Sequence, residues 1–258
     1  MIEVKSISKS YKLSRQQRKE MGSDFAGNSV LAVDDISFSC RPGRIFGLIG
    51  PNGAGKTSTL RMIGTMLKPS SGTILVNGFD TVEIPQSVKY SLGFLSGNTG
   101  LYDRLTAEEM VKYYADLHEM SNMDFIRSRD KIFSLLDMED FSGRRIGKLS
   151  TGMMQKVNIA RTMIHEPEVV VFDEPTSGLD VMASRSIIRL IRECKNLGKT
   201  IIFSSHRLAE IQSLCDDLAI IHKGKLFFNG TYEQFESQQK METLEDEFIR
   251  LVDEGPYV

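Results

Sequence analysis

One short stretch of this sequence limits the choice of fold more than any other, a glycine-rich loop that begins at Gly50. The loop follows the apolar run 45–49 and precedes residues 57–67, whose apolar positions have helical spacing, so we predict a strand, a loop and a helix. It matches the pattern GxxxxGK[ST] and runs Gly50, Pro51, Asn52, Gly53, Ala54, Gly55, Lys56, Thr57, with Ser58 next. Glycines allow successive backbone N–H groups to face inward, and the helix N-terminus adds about half a positive charge. We therefore predict that these residues bind the phosphates of a nucleotide, with Lys56 on the β- and γ-phosphates and the Thr57 hydroxyl on Mg²⁺.

Two carboxylates form the second feature. Asp173 and Glu174 directly follow the apolar run 169–172, which predicts a buried strand. Open α/β sheets bind ligands at the carboxyl ends of their strands. Asp173 is therefore the predicted Mg²⁺ residue, and Glu174 is predicted to polarise the attacking water.

The rest of the chain alternates between strand and helix patterns. Strand signals recur at 200–203 and 218–221, and a helix is predicted over 181–197, closed by Gly198. Such alternation predicts a parallel sheet covered on both faces. From about 100 to 165 the apolar residues have helical spacing, which predicts an inserted helical lobe. Residues 243–246 resemble a capping box at the start of a final helix.

Charge and composition exclude some classes of protein. Lys plus Arg number 32 and Asp plus Glu number 34, giving a net charge of −2, which argues against a protein that acts mainly on nucleic acid. No apolar run reaches the roughly 18 residues needed to cross a bilayer, and the first residues do not read as a secretory signal. The three cysteines show no CxxC spacing, which fits a reducing compartment. We expect a cytoplasmic protein that meets a membrane only through a partner.

Further segments, taken with the loop and the carboxylates, resemble the ATP-binding cassette of ABC transporters. They follow that family's order along nearly the whole chain: Tyr11 in the place of the aromatic residue that stacks on adenine, 149–153 (Leu-Ser-Thr-Gly-Met) similar to the LSGGQ signature, 175–180 similar to the D-loop, and 204–206 similar to the switch-histidine region.

The resemblance implies a fold class. It implies an α/β P-loop NTPase core of the ABC type with a mostly parallel sheet, an N-terminal antiparallel β subdomain and an inserted helical subdomain. It further implies one nucleotide-binding domain over residues 1–232, with its helical lobe at about 96–165, and a short helical tail over 233–258.

The resemblance also implies roles in ATP hydrolysis. Lys56, Glu174 and His206 are the implied catalytic residues. With the P-loop on one face and the signature on another, two copies would pair head to tail as a homodimer, each ATP lying between Lys56 of one copy and Ser150 of the other. The residues implied to contact ATP across that dimer are Ser150, Thr151, Gly152 and Asp180.

Two segments depart from the family pattern. In the signature, Thr151 stands where the common form has glycine. Met153 replaces the signature glutamine and cannot hydrogen-bond a ribose as glutamine could. Gly97 stands where the family usually has a glutamine that touches Mg²⁺, which leaves the neighbouring Asn98 as a candidate metal ligand. An integral membrane permease, a separate chain, is expected to dock near residues 96–109, holding this chain on the cytoplasmic face of the cell membrane.

Finer resemblance suggests a cargo. The signature, segment 101–106 and the tail 244–248 resemble one branch, the NatA-type cassettes associated with sodium export and neighbouring exporter cassettes for drugs, lipids and polysaccharides. Sodium is the cargo expected from that branch. Alternatives are export of a drug, lipid or polysaccharide, an ATPase of a cytosolic assembly scaffold, and a non-hydrolysing regulatory module. A chromosome-organising or DNA-repair ATPase is disfavoured because only 93 residues separate Thr57 from Ser150, and they show no coiled-coil heptads. A two-cassette translation factor is disfavoured because the chain has a single set of motifs.

Overall fold

The computed structural model describes residues 1–14, 16, 28–96 and 100–254, which form two β-sheets with helices packed around them. Most of the predicted loop 12–29 lies outside the described residues, as do Gly97 and Asn98.

The larger sheet carries the functional loops. Its six strands are β3 (Ile45–Ile49), β6 (Leu92–Leu95), β7 (Val169–Asp173), β8 (Thr200–Ser205), β9 (Asp217–His222) and β10 (Lys225–Thr231), in the order β10-β9-β3-β8-β7-β6. All neighbouring pairs are parallel except β9 and β10. In this register Ile49 lies beside Ser205, and Asp173 lies beside Ser204. The carboxyl ends of β3, β7 and β8 therefore meet at one edge.

The smaller sheet is antiparallel. Its strands are β1 (Ile2–Lys12), β2 (Ser29–Cys40), β4 (Ser71–Val76) and β5 (Phe79–Asp80), in the order β2-β1-β4-β5. Phe38 of β2 stacks on Phe46 of β3 with the ring centroids 5.0 Å apart, which joins the two sheets.

Helices cover the larger sheet and fill the segment between β6 and β7. Within the described residues they are α1 (Lys56–Ile63), α2 (Pro85–Ser91), α3 (Ala107–Leu117), α4 (Asn122–Leu136), α5 (Thr151–Met163), α6 (Val181–Asn196), α7 (Leu208–Leu214), α8 (Tyr232–Gln238) and α9 (Leu244–Glu254), with short 3₁₀ turns at Glu139–Phe141 and Ile146–Lys148. Three of them, α3 to α5, lie where the sequence predicts the helical lobe. No helix in the described part of the chain is long and apolar enough to cross a membrane.

The larger sheet is buried on both faces. Ile45 and Ile49 of β3 join a cluster with the lobe helices, whereas Phe46 and Leu48 join a second cluster beneath the antiparallel sheet. This division by alternate residues explains why β3 reads as a continuous apolar run and not as an alternating one. The strand is thereby held rigidly behind the glycine-rich loop.

The expected fold class is confirmed, with the mostly parallel sheet, the antiparallel N-terminal sheet and the inserted helices all present. The domain boundary at residue 232 stays a prediction. The predicted helix 57–67 is wrong at its C-terminal end because Gly64 closes α1 with an N–H donated to the Leu60 carbonyl, and Thr65 then turns the chain with φ +61°. The final helix begins as expected, since the Thr243 hydroxyl accepts the N–H of Asp246 at 3.0 Å.

Candidate active site

The glycine-rich loop joins the end of β3 to the start of α1 and needs glycine at specific places. Gly53 and Gly55 have φ of +79° and +109°, in the left-handed region that favours glycine. A Cβ on Gly50 would lie 2.2 Å from the Ile221 carbonyl oxygen, and one on Gly55 would lie 2.5 Å from that of Ala32. These close contacts hold the loop between β9 and β2, as an anion nest at a helix N-terminus requires.

Lys56, the first residue of α1, lies over this loop. Its side chain is 5% exposed, and its ammonium donates to the carbonyl oxygens of Gly50 at 2.6 Å and Pro51 at 3.2 Å. A Glu174 carboxylate oxygen lies 3.8 Å away. Burial lowers the pKa of Lys56, and the charges of Glu174 and Asp173 oppose that shift. The loop therefore holds one buried ammonium that is available to an anion.

Asp173 ends β7 and lies beside the loop. One of its carboxylate oxygens, Oδ1, accepts hydrogen bonds from the Thr57 hydroxyl at 3.2 Å and from the Ser204 hydroxyl at 2.8 Å. A hydroxyl next to a buried carboxylate is a donor set that suits Mg²⁺, which usually takes only one or two protein ligands and keeps several waters. The described residues hold no cluster of three or more His, Cys, Asp or Glu side chains that could bind a metal. The residues present thus fit Mg²⁺ held jointly with phosphates.

Glu174 has an unusual backbone. Its φ is +49°, a left-handed conformation that is uncommon outside glycine. Its N–H donates to Ser204 Oγ at 3.0 Å, and its carboxylate Oε2 lies 3.1 Å from His206 Nδ1. Lys56, Glu174 and His206, which sequence analysis predicts as catalytic, therefore form one contiguous group at the edge where β3, β7 and β8 end.

The signature segment begins α5. Ser150 is the N-cap, and its hydroxyl accepts the N–H of Met153 at 3.3 Å. Gly152 packs against the start of α6: a Cβ there would lie 3.2 Å from Ala183 Cβ and 3.9 Å from an Asp180 carboxylate oxygen. Asp180 caps α6 by accepting the N–H of Ala183 at 2.8 Å. The four residues predicted to reach a partner's ATP thus share one region of the surface.

An open cleft of about 460 Å³ runs from the signature to the carboxylates. Its lining includes Thr57, Thr151, Asp173 and Glu174. One chain therefore presents the start of α5 and the carboxylates of Asp173 and Glu174 on a continuous concave surface.

Tyr11 lies near the end of β1. Its hydroxyl is 3.1 Å from Ser58 Oγ on α1, and the Lys9 ammonium is 5.6 Å from its ring centroid. The side chain is 39% exposed. An exposed ring is thus held next to Ser58, the residue that follows the P-loop.

Asn98, the candidate Mg²⁺ ligand predicted from the sequence, lies outside the described residues, so its role stays a prediction.

Two groups that support the site, Ser204 and Glu210, are not predicted from the sequence. Buried Ser204 bridges Asp173 and Glu174, as given above. Glu210, on α7, accepts hydrogen bonds from Thr176 at 2.7 Å, Ser205 at 2.9 Å and Arg207 at 3.1 Å. The D-loop is thereby tied to the residue that precedes His206. The sequence signal for these contacts was the pair of serines at a strand end, because consecutive side chains in a strand point to opposite faces of the sheet.

Known proteins resemble this chain in sequence and in fold. A family model described as ABC transporter matches residues 33–177. The ABC transporter ATP-binding protein NatA of Bacillus subtilis (strain 168) is 43% identical over 216 residues, which cover 83% of this chain and 88% of that protein.

Two solved structures have the same fold. A structure of an ATP-binding subunit of an ABC transporter has a TM-score of 0.83 at 27% identity and covers 98% of this chain and 99% of that one. A dimeric ATP-binding cassette in a post-hydrolysis state, bound to ADP and phosphate, has a TM-score of 0.77 at 22% identity and covers 90% of this chain and 98% of that one.

Proposed function

Since this chain belongs to the ABC transporter family as an ATP-binding subunit and ABC-type ATPase, we propose that it dimerises head to tail on ATP and powers export through a separate membrane subunit. The observation that carries the proposal is the single group formed by the loop, Lys56, Asp173, Glu174 and His206. Sodium is the proposed cargo.

The chemistry follows from that group. The backbone N–H groups of the loop and the Lys56 ammonium would bind the β- and γ-phosphates. Glu174 accepts a proton from the water whose oxygen attacks the γ-phosphorus, and the bond to the bridging oxygen breaks with ADP as the leaving group. His206 lies 3.1 Å from the Glu174 carboxylate and would contact the γ-phosphate.

Thr57 and Asp173 are the proposed Mg²⁺ residues, with Asn98 as a further candidate. The ion, when bound, would neutralise charge on the β- and γ-phosphates. Tyr11 is proposed to stack on adenine. Its exposed ring and its contact with Ser58, the residue that follows the P-loop, support that role.

Dimerisation would place Ser150, Thr151 and Gly152 of one copy on the nucleotide bound by the other. The exposed hydroxyl of the N-cap residue Ser150 and the N-terminus of α5 suit a phosphate. Val181 and Met182, which follow Asp180, are 82% and 71% exposed, and apolar side chains this exposed favour burial in an interface. The solved cassette bound to ADP and phosphate is a dimer, which supports dimerisation. ATP would join the two copies, and hydrolysis would release them, as a population shift driven by contacts made only in the closed state.

Coupling requires a membrane partner. We propose that an integral permease docks near residues 96–109 and holds the chain on the cytoplasmic face of the membrane. Sodium as cargo rests on the resemblance to the NatA-type branch. Export of a drug, lipid or polysaccharide is the alternative, because a cassette does not touch the transported solute. A soluble assembly-scaffold ATPase is the second alternative.

The Glu174→Gln variant tests the proposal. It keeps the side-chain shape but removes the proton acceptor, and loss of a general base lowers turnover by about 10² to 10⁴-fold. We expect the variant to form a stable dimer in ATP, seen by light scattering. The dimer of the unmodified protein should dissociate as ATP is consumed. Rapid hydrolysis by the variant would remove Glu174 from this role.

Purification of tagged Glu174→Gln from gently solubilised membranes in ATP tests the partner. A stoichiometric multi-span protein supports the transporter and supplies the subunit for sodium-efflux measurements. A soluble partner, or none, favours the assembly-scaffold alternative and makes sodium irrelevant.

A further inference from the structure

The strand β8 ends in two buried serines whose side chains have different partners. Ser204 is fully buried and lies directly across from Asp173 in the parallel pairing of β7 and β8. Ser205 is 3% exposed and bonds instead to Glu210. Only the first of the two serines therefore faces the carboxylates that follow β7.

The Ser204 hydroxyl makes two hydrogen bonds in opposite directions. It donates to Asp173 Oδ1 at 2.8 Å and accepts the N–H of Glu174 at 3.0 Å. A hydroxyl has one hydrogen to donate and two lone pairs, so both bonds can exist at once. One oxygen atom thus fixes the side chain of one carboxylate and the backbone of the next.

The second of these bonds holds a strained residue. Glu174 has φ of +49°, which a residue with a Cβ adopts only when its surroundings impose it. The N–H that Ser204 accepts belongs to that residue, and the Ser177 N–H binds the Glu174 carbonyl oxygen at 3.2 Å. Without the hydroxyl, the peptide before Glu174 loses the contact that orients it, and the carboxylate can turn away from His206.

The first bond restrains Asp173. Its Oδ1 also accepts the Thr57 hydroxyl, at the longer distance of 3.2 Å. Thr57 is a proposed Mg²⁺ ligand, so its hydroxyl has a second task. Ser204 is fully buried and has no such task, which makes it the constant partner of Asp173. Loss of a group that hydrogen-bonds a metal-binding carboxylate typically lowers metal affinity or activity by about 10 to 100-fold.

We propose that Ser204 is a positioning residue for hydrolysis, which sets the orientation of Asp173 towards Mg²⁺ and of Glu174 towards water through one hydroxyl. The proposal rests on the proposed ATP hydrolysis at this site. It predicts that removal of the hydroxyl lowers kcat and lowers the gain in ATP affinity that Mg²⁺ gives. ATP binding by the loop without Mg²⁺ should be retained.

The test compares Ser204→Ala with Ser204→Thr, which keeps a hydroxyl, and with Thr200→Val. Thr200 is a matched control, because it is a buried hydroxyl at the other end of β8 whose partner is the N-terminal ammonium of Met1. For each protein we would measure kcat and KM for ATP across a Mg²⁺ titration, ATP affinity by calorimetry with and without Mg²⁺, and Tm.

Ser204→Ala is expected to lower kcat by about 10 to 100-fold and to lose most of the gain in ATP affinity that Mg²⁺ gives. Ser204→Thr should recover both, and Thr200→Val should change neither. If Ser204→Ala does not fold, Ser204→Cys, a weaker donor of similar size, should fall between Ser204→Thr and inactivity.

Three outcomes separate the possibilities. Unchanged kcat and Mg²⁺ dependence in Ser204→Ala overturn the inference. Equal losses in Ser204→Ala and Thr200→Val also overturn it, since they would show general destabilisation. Failure of the unmodified chain to bind Mg²⁺-ATP would instead refute the proposed function.

Discussion

Replacement of His165 by phenylalanine should make the folded chain less sensitive to mild acid. His165 follows α5, and its ring stacks on that of His118 at the end of α3, with centroids 3.7 Å apart and planes 4° from parallel. Phenylalanine can keep the stack but cannot take up a proton. The comparison therefore removes the titration of His165 while the ring packing is kept.

The magnitude follows from the pKa. Burial, with smaller contributions from the charges of His118 and Lys199, lowers the pKa of His165 from 6.5 to about 3. As pH falls through 6.5, the unfolded chain binds a proton that the folded chain does not bind until about pH 3. Folding free energy is therefore lost between these values at about 1.36 kcal/mol per pH unit, and none is lost above pH 6.5. At pH 5 the loss is about 2 kcal/mol.

Urea unfolding followed by circular dichroism at pH 8 and pH 5 measures this effect. The free energy of unfolding of His165→Phe, relative to the unmodified chain, should rise by about 2 kcal/mol between the two pH values. Carboxylates titrate in both proteins and cancel in the difference. Tyr90→Phe is the control, since Tyr90 makes an edge contact with His118 and should follow the unmodified chain. Parallel pH dependences for His165→Phe and the unmodified chain would refute the reasoning.

Three further predictions concern the site. Lys56→Ala should abolish ATP binding by calorimetry, because the loop loses its buried ammonium, and unchanged affinity would contradict the phosphate assignment. Tyr11→Ala should weaken ATP binding by about tenfold through lost stacking, whereas Tyr11→Phe should bind as the unmodified chain does; equal affinities in all three would exclude stacking. Glu210→Gln should lower the free energy of unfolding by about 2 kcal/mol and Tm by roughly 4–8 °C, since it weakens the hydrogen bonds to Thr176, Ser205 and Arg207. A calorimetric scan that shows no shift in Tm would argue that these bonds do not stabilise the fold.

The sequence predicted the local parts of the site well. The glycine-rich loop is short and continuous, and its spacing dictates where backbone N–H groups and Lys56 must lie. Asp173 and Glu174 follow an apolar run, so their position at a strand end was also readable. These features depend on neighbours in the chain, which is the information that a pattern contains.

The parts that depend on strand pairing could not be read in the same way. The bond from Ser204 to Asp173 joins residues 31 positions apart, and it exists only because β7 pairs with β8 in one register. Glu174 has a positive φ that no residue type at position 174 signals. The end of α1 was misjudged because the apolar spacing continues to Leu67, while Gly64 and Thr65 allow the chain to turn earlier.

The strand order also has a consequence for synthesis on the ribosome. Among the described residues of the larger sheet, β3 pairs only with β8 and β9, which are made about 150 or more residues later. At about 5 to 20 residues per second, the apolar strand behind the glycine-rich loop waits roughly 8 to 30 s for its first partner. During that interval its unpaired edges are exposed to other nascent chains. A chain released before residue 200 would carry the complete P-loop sequence but lack both strands that hold it in place.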